Sequence, residues 1–316
     1  MLASAKAWPR PSPKASSTFW GHEAEAAVTS QPIGLFDSGV GGLSVWREIV
    51  RQLPTESTLY VADSAHVPYG NRSSQEVLTF CESLCHFLLA RGCKAIVVAC
   101  NTASAVALQT LRERHPDVPI LGLEPAVKPA ISLSKTKVVG VMATPATFQG
   151  RLFRATVGRY ARNVRLVEQV CLGLADCVES GASEADLENL LRSFLDPMLA
   201  ANADTIVLGC THYPFVIDTI RRLAGPERRV IDPAPAVAAH LARVLQEHDL
   251  AASADARGEH HFFTTAAAAG FDAACQRLLG LQPACEEVRW HMHSTGQRVV
   301  LPATGATAQQ VTPHAF

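Results

Sequence analysis

From residue 33 onward, short apolar runs alternate with longer amphipathic stretches. The runs at 33–36 (IGLF), 58–61 (TLYV), 95–99 (AIVVA), 119–122, 138–142 (VVGVM), 164–168, 204–208 (DTIVL) and 229–231 are too short for helices. Most are apolar at every position, which predicts strands covered on both faces. Between them, helical spacing of apolar residues predicts helices near 42–53, 73–91, 102–115, 148–161, 183–201, 213–224 and 233–248. Strands that alternate with amphipathic helices predict an α/β fold with mostly parallel sheets.

The pattern repeats itself. AIVVACNTAS (95–104) and TIVLGCTHYP (205–214) share one motif, and IGLFDS (33–38) parallels VGVMAT (139–144). Gly34 and Cys100 are 66 positions apart, and Gly140 and Cys210 are 70 apart. The expected fold is therefore two pseudo-symmetric doubly wound domains, with the active site in the cleft between them, because such sheets bind ligands at their carboxyl ends. The expected boundaries are 32–125 plus 236–291 for a discontinuous first domain and 126–235 for the second. Residues 233–248 and 260–280 return to the first half in this scheme. Residues 1–31, with Pro9, Pro11 and Pro13, read as a disordered N-terminal extension, and 292–316 as a C-terminal tail.

Composition narrows the function. Lys and Arg total 28 against 29 Asp and Glu in 316 residues, so the net charge is −1. A general nucleic-acid coat or an anionic-membrane binder needs excess positive charge, and no nucleic-acid or membrane partner is expected. No run approaches the length of a membrane-spanning helix. The nine cysteines form no CxxC pair, and their odd number makes a poor disulfide framework. A reducing, cytoplasmic setting follows, with Cys81 and Cys85 as buried small hydrophobes.

Cys100 and Cys210 stand apart. Each follows an apolar strand and opens a helix, beside polar neighbours (Asn101, Thr102, Thr211, His212) that a structural cysteine would not want. The helix N-terminus is expected to draw such a thiol's pKa down toward neutrality. Two thiols related by pseudo-symmetry suit one base and one acid on opposite faces of a carbon, which inverts it. The rival arrangement is a Cys210–His212 dyad for acyl transfer. The loop DSGVGGLS (37–44) lacks both GxGxxG and GK[ST], so its N–H groups suit a carboxylate better than a nucleotide. Asp37 can assist a thiol or orient an ammonium, and Ser38, Thr102 and Thr211 add hydroxyls. Tyr69 and Gly70 lie beside a helix start in the loop 63–73. The implied ligand is small, zwitterionic and carboxylate-bearing.

GLFDSGVGGLSV (34–45), ADSAHVPYGNRS (62–73), VVACNTASA (97–105), LEPAVKPA (123–130), ATPAT (143–147) and LGCTHYPF (208–215) together resemble the glutamate racemases. The resemblance spans about residues 32–282, and DSGVGGL with PYG is its most specific part. It implies interconversion of L- and D-glutamate without pyridoxal phosphate or metal, hence no cofactor, in support of peptidoglycan synthesis. It implies that Cys100 works on D-glutamate with Asp37, and Cys210 on L-glutamate with His212. It also implies substrate contacts from Asp37 and Ser38, Tyr69 and Gly70, Asn101 and Thr102, Thr144 and Thr147, and Thr211 and His212. A family glutamate that assists the second thiol matches Glu179 by spacing, with Glu168 in reserve. A homodimer is expected. Some family members respond to a cell-wall precursor, an anion that Lys6, Arg10 and Lys14 could touch. The alternatives are another amino-acid racemase of the same superfamily, acting on aspartate, and a non-catalytic two-lobed carboxylate-binding protein.

Overall fold

The computed structural model describes residues 28–292 and 298–302. The tail basics Lys6, Arg10 and Lys14 lie outside them. The strands are β1 (Ile33–Asp37), β2 (Thr58–Ala62), β3 (Ala95–Val98), β4 (Ile120–Gly122), β5 (Val138–Ala143), β6 (Arg165–Val170), β7 (Thr205–Gly209), β8 (Arg229–Ile231), β9 (His260–Thr264), β10 (Glu286–Met292) and β11 (Arg298–Pro302). They form a seven-stranded sheet in the order β11-β10-β9-β2-β1-β3-β4 and a four-stranded sheet in the order β6-β5-β7-β8.

The internal repeat becomes geometry here. The run β2-β1-β3-β4 in one sheet matches β6-β5-β7-β8 in the other, with every pairing in both runs parallel. In each run the chain switches direction between its first strand and its third (β1/β3 and β5/β7), which opens a crevice at the carboxyl ends. Cys100 follows β3 and Cys210 follows β7, so the two thiols occupy equivalent places beside these switch points.

Both faces of each sheet are packed, which is why the strands read as unbroken apolar runs. On one face of the larger sheet, Phe36, Val61, Ile96 and Val98 meet Phe80, Leu84 and Leu88. On the other, Leu35, Tyr60 and Val97 meet Trp46, Ile49 and Leu241. The smaller sheet packs Ile206 and Leu208 against Leu191, Leu195 and Met198 on one face, and Val139, Val141 and Val207 against Val127 and Phe153 on the other. After β8 the helix Ala234–Glu247 carries the chain back, and β9 pairs with β2.

Three expectations need correction. Residues 292–316 are not all tail: β11 pairs antiparallel with β10 and buries Val300 in the core, although Thr, Gln and Pro nearby hide the strand. The helix expected over 148–161 is two, Pro145–Gln149 and Arg151–Tyr160. They break at Gly150, whose extended backbone and close approach to Ala105 (2.7 Å from a hypothetical Cβ) leave no room for a side chain. The stretch 213–224 begins as a 3-10 turn at Tyr213–Val216 because Pro214 sits inside it, and becomes α-helical only over Ile217–Ala224.

At the amino ends of the strands lies a buried ion pair. Lys94 Nζ is 2.6 Å from Glu56 Oε2, with both side chains almost fully covered. The ammonium also donates to the Thr29 carbonyl at 2.6 Å, and Glu56 Oε1 accepts from the Ala252 N–H at 2.7 Å.

Candidate active site

Cys100 is the N-cap of the helix Asn101–Arg114, and its sulfur accepts from the Ala103 N–H at 3.4 Å. The thiol donates toward Ser38 Oγ at 3.8 Å, and the Asp37 carboxyl is close enough for its charge to act on the sulfur. The helix N-terminus was expected to lower this thiol's pKa. It does not: burial and the negative charge of Asp37 outweigh the Ala103 N–H, and Cys100 lies well above the ordinary thiol range. Asp37, also fully buried, is pushed up to about 6 by burial, against the charge of His212 and the hydrogen bond from the Gly42 N–H. That bond, to Oδ2, measures 2.6 Å.

The second thiol has a different partner chain. Cys210 Sγ is 3.6 Å from His212 Nδ1, and His212 Nε2 is 2.7 Å from Glu179 Oε1. Burial would lower His212, but its hydrogen bonds to Cys210 and Glu179 win and hold it well above the ordinary imidazole value. Burial likewise opposes ionisation of Glu179, yet the His212 bond and charge keep its carboxyl below the usual range. Glu168, in contrast, lies exposed on β6, so only Glu179 of the two candidates reaches His212.

The two halves meet at these thiols. A negative charge on Cys210 is felt at Cys100. Thr102 Oγ1 is 3.1 Å from Thr144 Oγ1, which in turn is 3.0 Å from Thr147 Oγ1. The Ser44 hydroxyl donates to the Thr211 carbonyl at 2.8 Å and also lies 2.9 Å from the Gly41 carbonyl oxygen. The loop 37–44 is rich in glycine because it threads between other groups. A Cβ on Gly39 would lie 2.7 Å from Glu179 Oε1, and one on Gly42 would lie 2.7 Å from the Asp37 Cβ and the Tyr60 hydroxyl. One of the loop N–H groups expected to hold a ligand carboxylate is taken by the chain's own acid: Gly42 donates to Asp37.

Capacity for a polar ligand remains. Both amide atoms of Asn101 and Oδ1 of Asp37 are buried without a hydrogen-bond partner. Buried polar groups are nearly always satisfied, so these are the groups with bonds still to make. Tyr69 donates its hydroxyl to Asp63 at 2.7 Å, so that hydroxyl is already engaged, and Gly70 abuts Thr144. Ser44, Asp63 and Arg277, which donates to the Glu179 carbonyl, were not foreseen. Ser44 and Asp63 each lay inside a quoted motif, DSGVGGLS and ADSAHVPYGNRS, whereas Arg277 lay in none. A separate groove of about 510 Å³, with Glu124, Lys128, Arg159 and His240 in its lining, shares none of the site side chains. Among the described residues no cluster of three His, Cys, Asp or Glu is placed to hold a metal ion, and no helix is long and apolar enough to cross a membrane. All nine cysteines are free thiols.

Twinned parallel half-sheets with a thiol at each switch point define a class of pseudo-symmetric α/β proteins. The family model described as Asp/Glu/Hydantoin racemase matches residues 33–241. The glutamate racemase of Ectopseudomonas mendocina is 48% identical over 232 residues, which cover 73% of this chain and 88% of that protein. The glutamate racemase isoform RacE1 from Bacillus anthracis superposes with a TM-score of 0.76 at 35% identity, covering 82% of this chain and 98% of that one. The Escherichia coli glutamate racemase, solved with L-glutamate and the activator UDP-MurNAc-Ala, gives a TM-score of 0.69 at 30% identity over 81% of this chain and 97% of that one. The chain belongs to the Asp/Glu/hydantoin racemase family and, within it, to the glutamate racemases, isomerases that act on an amino acid.

Proposed function

We propose that this chain interconverts L- and D-glutamate by a two-base reaction at Cys100 and Cys210. The observation that carries the reading is the placement of the two thiols after equivalent strands, each beside its own acid–base partner. In one direction the sulfur of Cys210 takes the α-proton from one face, and the Cys100 thiol gives its proton to the other. In the reverse direction the roles exchange. Only a proton on each side moves, so the carbon skeleton and oxidation state are untouched.

Each sulfur has a neighbour suited to its task. Asp37, near 6, is close enough to ambient pH to accept the Cys100 proton and return it. Protonated His212, held by Glu179, stabilises a thiolate at Cys210. Asn101, Thr102, Thr144, Thr147, Thr211, Ser38 and the Tyr69–Gly70 backbone form the polar wall that orients the substrate. The product D-glutamate serves peptidoglycan synthesis in the cytoplasm.

The test is racemisation in deuterated water. Each inverted molecule should carry solvent deuterium at the α-carbon, while retention of the original hydrogen overturns the two-base scheme. Chiral assay of glutamate beside aspartate decides the substrate: turnover of aspartate alone overturns the assignment to glutamate.

A further inference from the structure

Asp63 follows β2 and is completely buried. Four side chains point donors at its carboxylate. Oδ2 accepts from the Tyr69 hydroxyl at 2.7 Å, and Oδ1 accepts from Thr265 Oγ1 at 2.7 Å and from Trp290 Nε1 at 2.8 Å. His66 Nδ1 lies 3.0 Å from Oδ2 and 3.1 Å from Oδ1. An ionised carboxylate offers about four acceptor positions, so this set fills it. Its role in the reaction is not direct, because none of its atoms is left over for a ligand.

What the carboxylate holds is the loop that walls the site. Thr265 Oγ1 also accepts from the Ala65 N–H at 3.0 Å, and Arg72 Nε donates to the His66 carbonyl at 2.8 Å. The His66 ring stacks on Phe80 with centroids 4.0 Å apart. Tyr69 is thereby fixed beside Cys100, where a charge on that sulfur is felt at its ring. The next residue, Gly70, faces Thr144: a Cβ there would make ordinary van der Waals contact, 3.4 Å from the threonine Cβ. Thr144 in turn bonds Thr102 and Thr147. The chain of contacts therefore runs from Trp290 in β10, through Asp63 and Tyr69, to the hydroxyls between the halves.

We propose that Asp63 is a positioning residue for glutamate racemisation, and that Thr265 and Trp290, from the end of the chain, complete its function by setting the Tyr69–Gly70 wall against Thr144. The inference rests on the function proposed above. Because the loop shapes binding and does not carry the proton, its loosening acts on KM more than on kcat.

The experiment compares Asp63→Asn and Trp290→Phe with the wild-type chain for folding, for kcat and KM in both directions, and for the α-deuterium isotope effect. Asparagine puts a donor where Tyr69 needs an acceptor, and phenylalanine keeps the ring but removes one donor. Asp63→Asn should raise KM about tenfold in both directions with a smaller fall in kcat and an unchanged isotope effect, and Trp290→Phe should move KM the same way by about threefold. A folded Asp63→Asn whose KM stays within about twofold of wild type, or whose loss falls on kcat alone, overturns the inference. If Asp63→Asn does not fold, an unchanged KM in Trp290→Phe overturns it and a raised KM supports it. A wild-type chain with no turnover of glutamate overturns the proposed function and this inference with it. A wild type with turnover and variants that match it overturns this inference alone.

Discussion

Gly41 lies flat against the imidazole of His212: a Cβ there would be 2.5 Å from both Nδ1 and Cε1 of the ring. Real side chains do not tolerate that distance, so the glycine sets where His212 can stand. Gly41→Ala should displace the ring from Cys210 and Glu179 and lower kcat about 100-fold, since small misplacements at a reacting centre cost that much. Steady-state racemisation, with circular dichroism to confirm the fold, checks this. Activity within about twofold of wild type would refute it.

The two thiols should be individually indispensable. Serine is a far weaker acid than cysteine, so Cys100→Ser and Cys210→Ser should each lose at least about 1,000-fold in turnover. The measurement is polarimetry in both directions. Because the equilibrium constant between enantiomers is one, each variant must lose kcat/KM equally for L- and D-glutamate.

Asp37 connects activity to stability. A carboxyl held at about 6 in the folded chain, against an ordinary 3.8, costs the folded state about 3 kcal/mol at neutral pH. The native state binds the proton more tightly than the unfolded state, so this penalty grows as pH rises from about 4 to about 6 and is complete above that. Asp37→Asn should therefore be inactive yet more stable than wild type at pH ~8, by about 1–3 kcal/mol, with the difference shrinking toward pH ~4. Urea unfolding at the two pH values gives the answer.

Glu179 should set the alkaline limb of the pH profile. Its bond and charge hold His212 protonated against burial. In Glu179→Gln one of the two hydrogen bonds that offset burial is weakened while that to Cys210 remains, so the imidazolium loses its proton at lower pH. The alkaline limb of kcat/KM should move down, with kcat reduced about 10- to 100-fold. The same change at exposed Glu168 should leave the limb where it is.

The Lys94–Glu56 pair should matter for folding and not for chemistry. It lies at the amino ends of the strands, opposite the thiols. Lys94→Met strands a buried carboxylate, which should destabilise the chain by about 3–5 kcal/mol. Activity per folded molecule should be preserved. Thermal unfolding and active-site titration separate the two effects.

The strands of both half-sheets and the places of Cys100 and Cys210 could be read from the sequence because burial on both faces leaves an unbroken apolar run. The repeat then doubled every observation. β9, β10 and β11 were harder, since His260, His261 and the charged positions of Glu286–Met292 break that pattern on a sheet margin. The pKa of Cys100 could not be read at all. Local position argues for a lowered value, whereas Asp37, brought beside it from 63 residues earlier, argues for a raised one and prevails with burial. The surroundings of Asp63 were invisible for the same reason. His66 and Tyr69 share the motif 62–73 with it, but Thr265 and Trp290, about 200 residues on, complete the set and no local motif announces them.

Cys100 and Cys210 are only 5% and 8% exposed, and the Ser44–Thr211 and Thr102–Thr144 bonds stitch the halves together beside them. In the reaction proposed above, glutamate has to reach sulfurs that are this well covered, beside these contacts. Traffic and chemistry thus draw on the same few contacts: a tighter seam shelters the carbanion from stray water, and a looser one discharges product sooner. On the proposed function, the pace of turnover is a compromise between them, set in part by the hydroxyls of Ser44, Thr102 and Thr144.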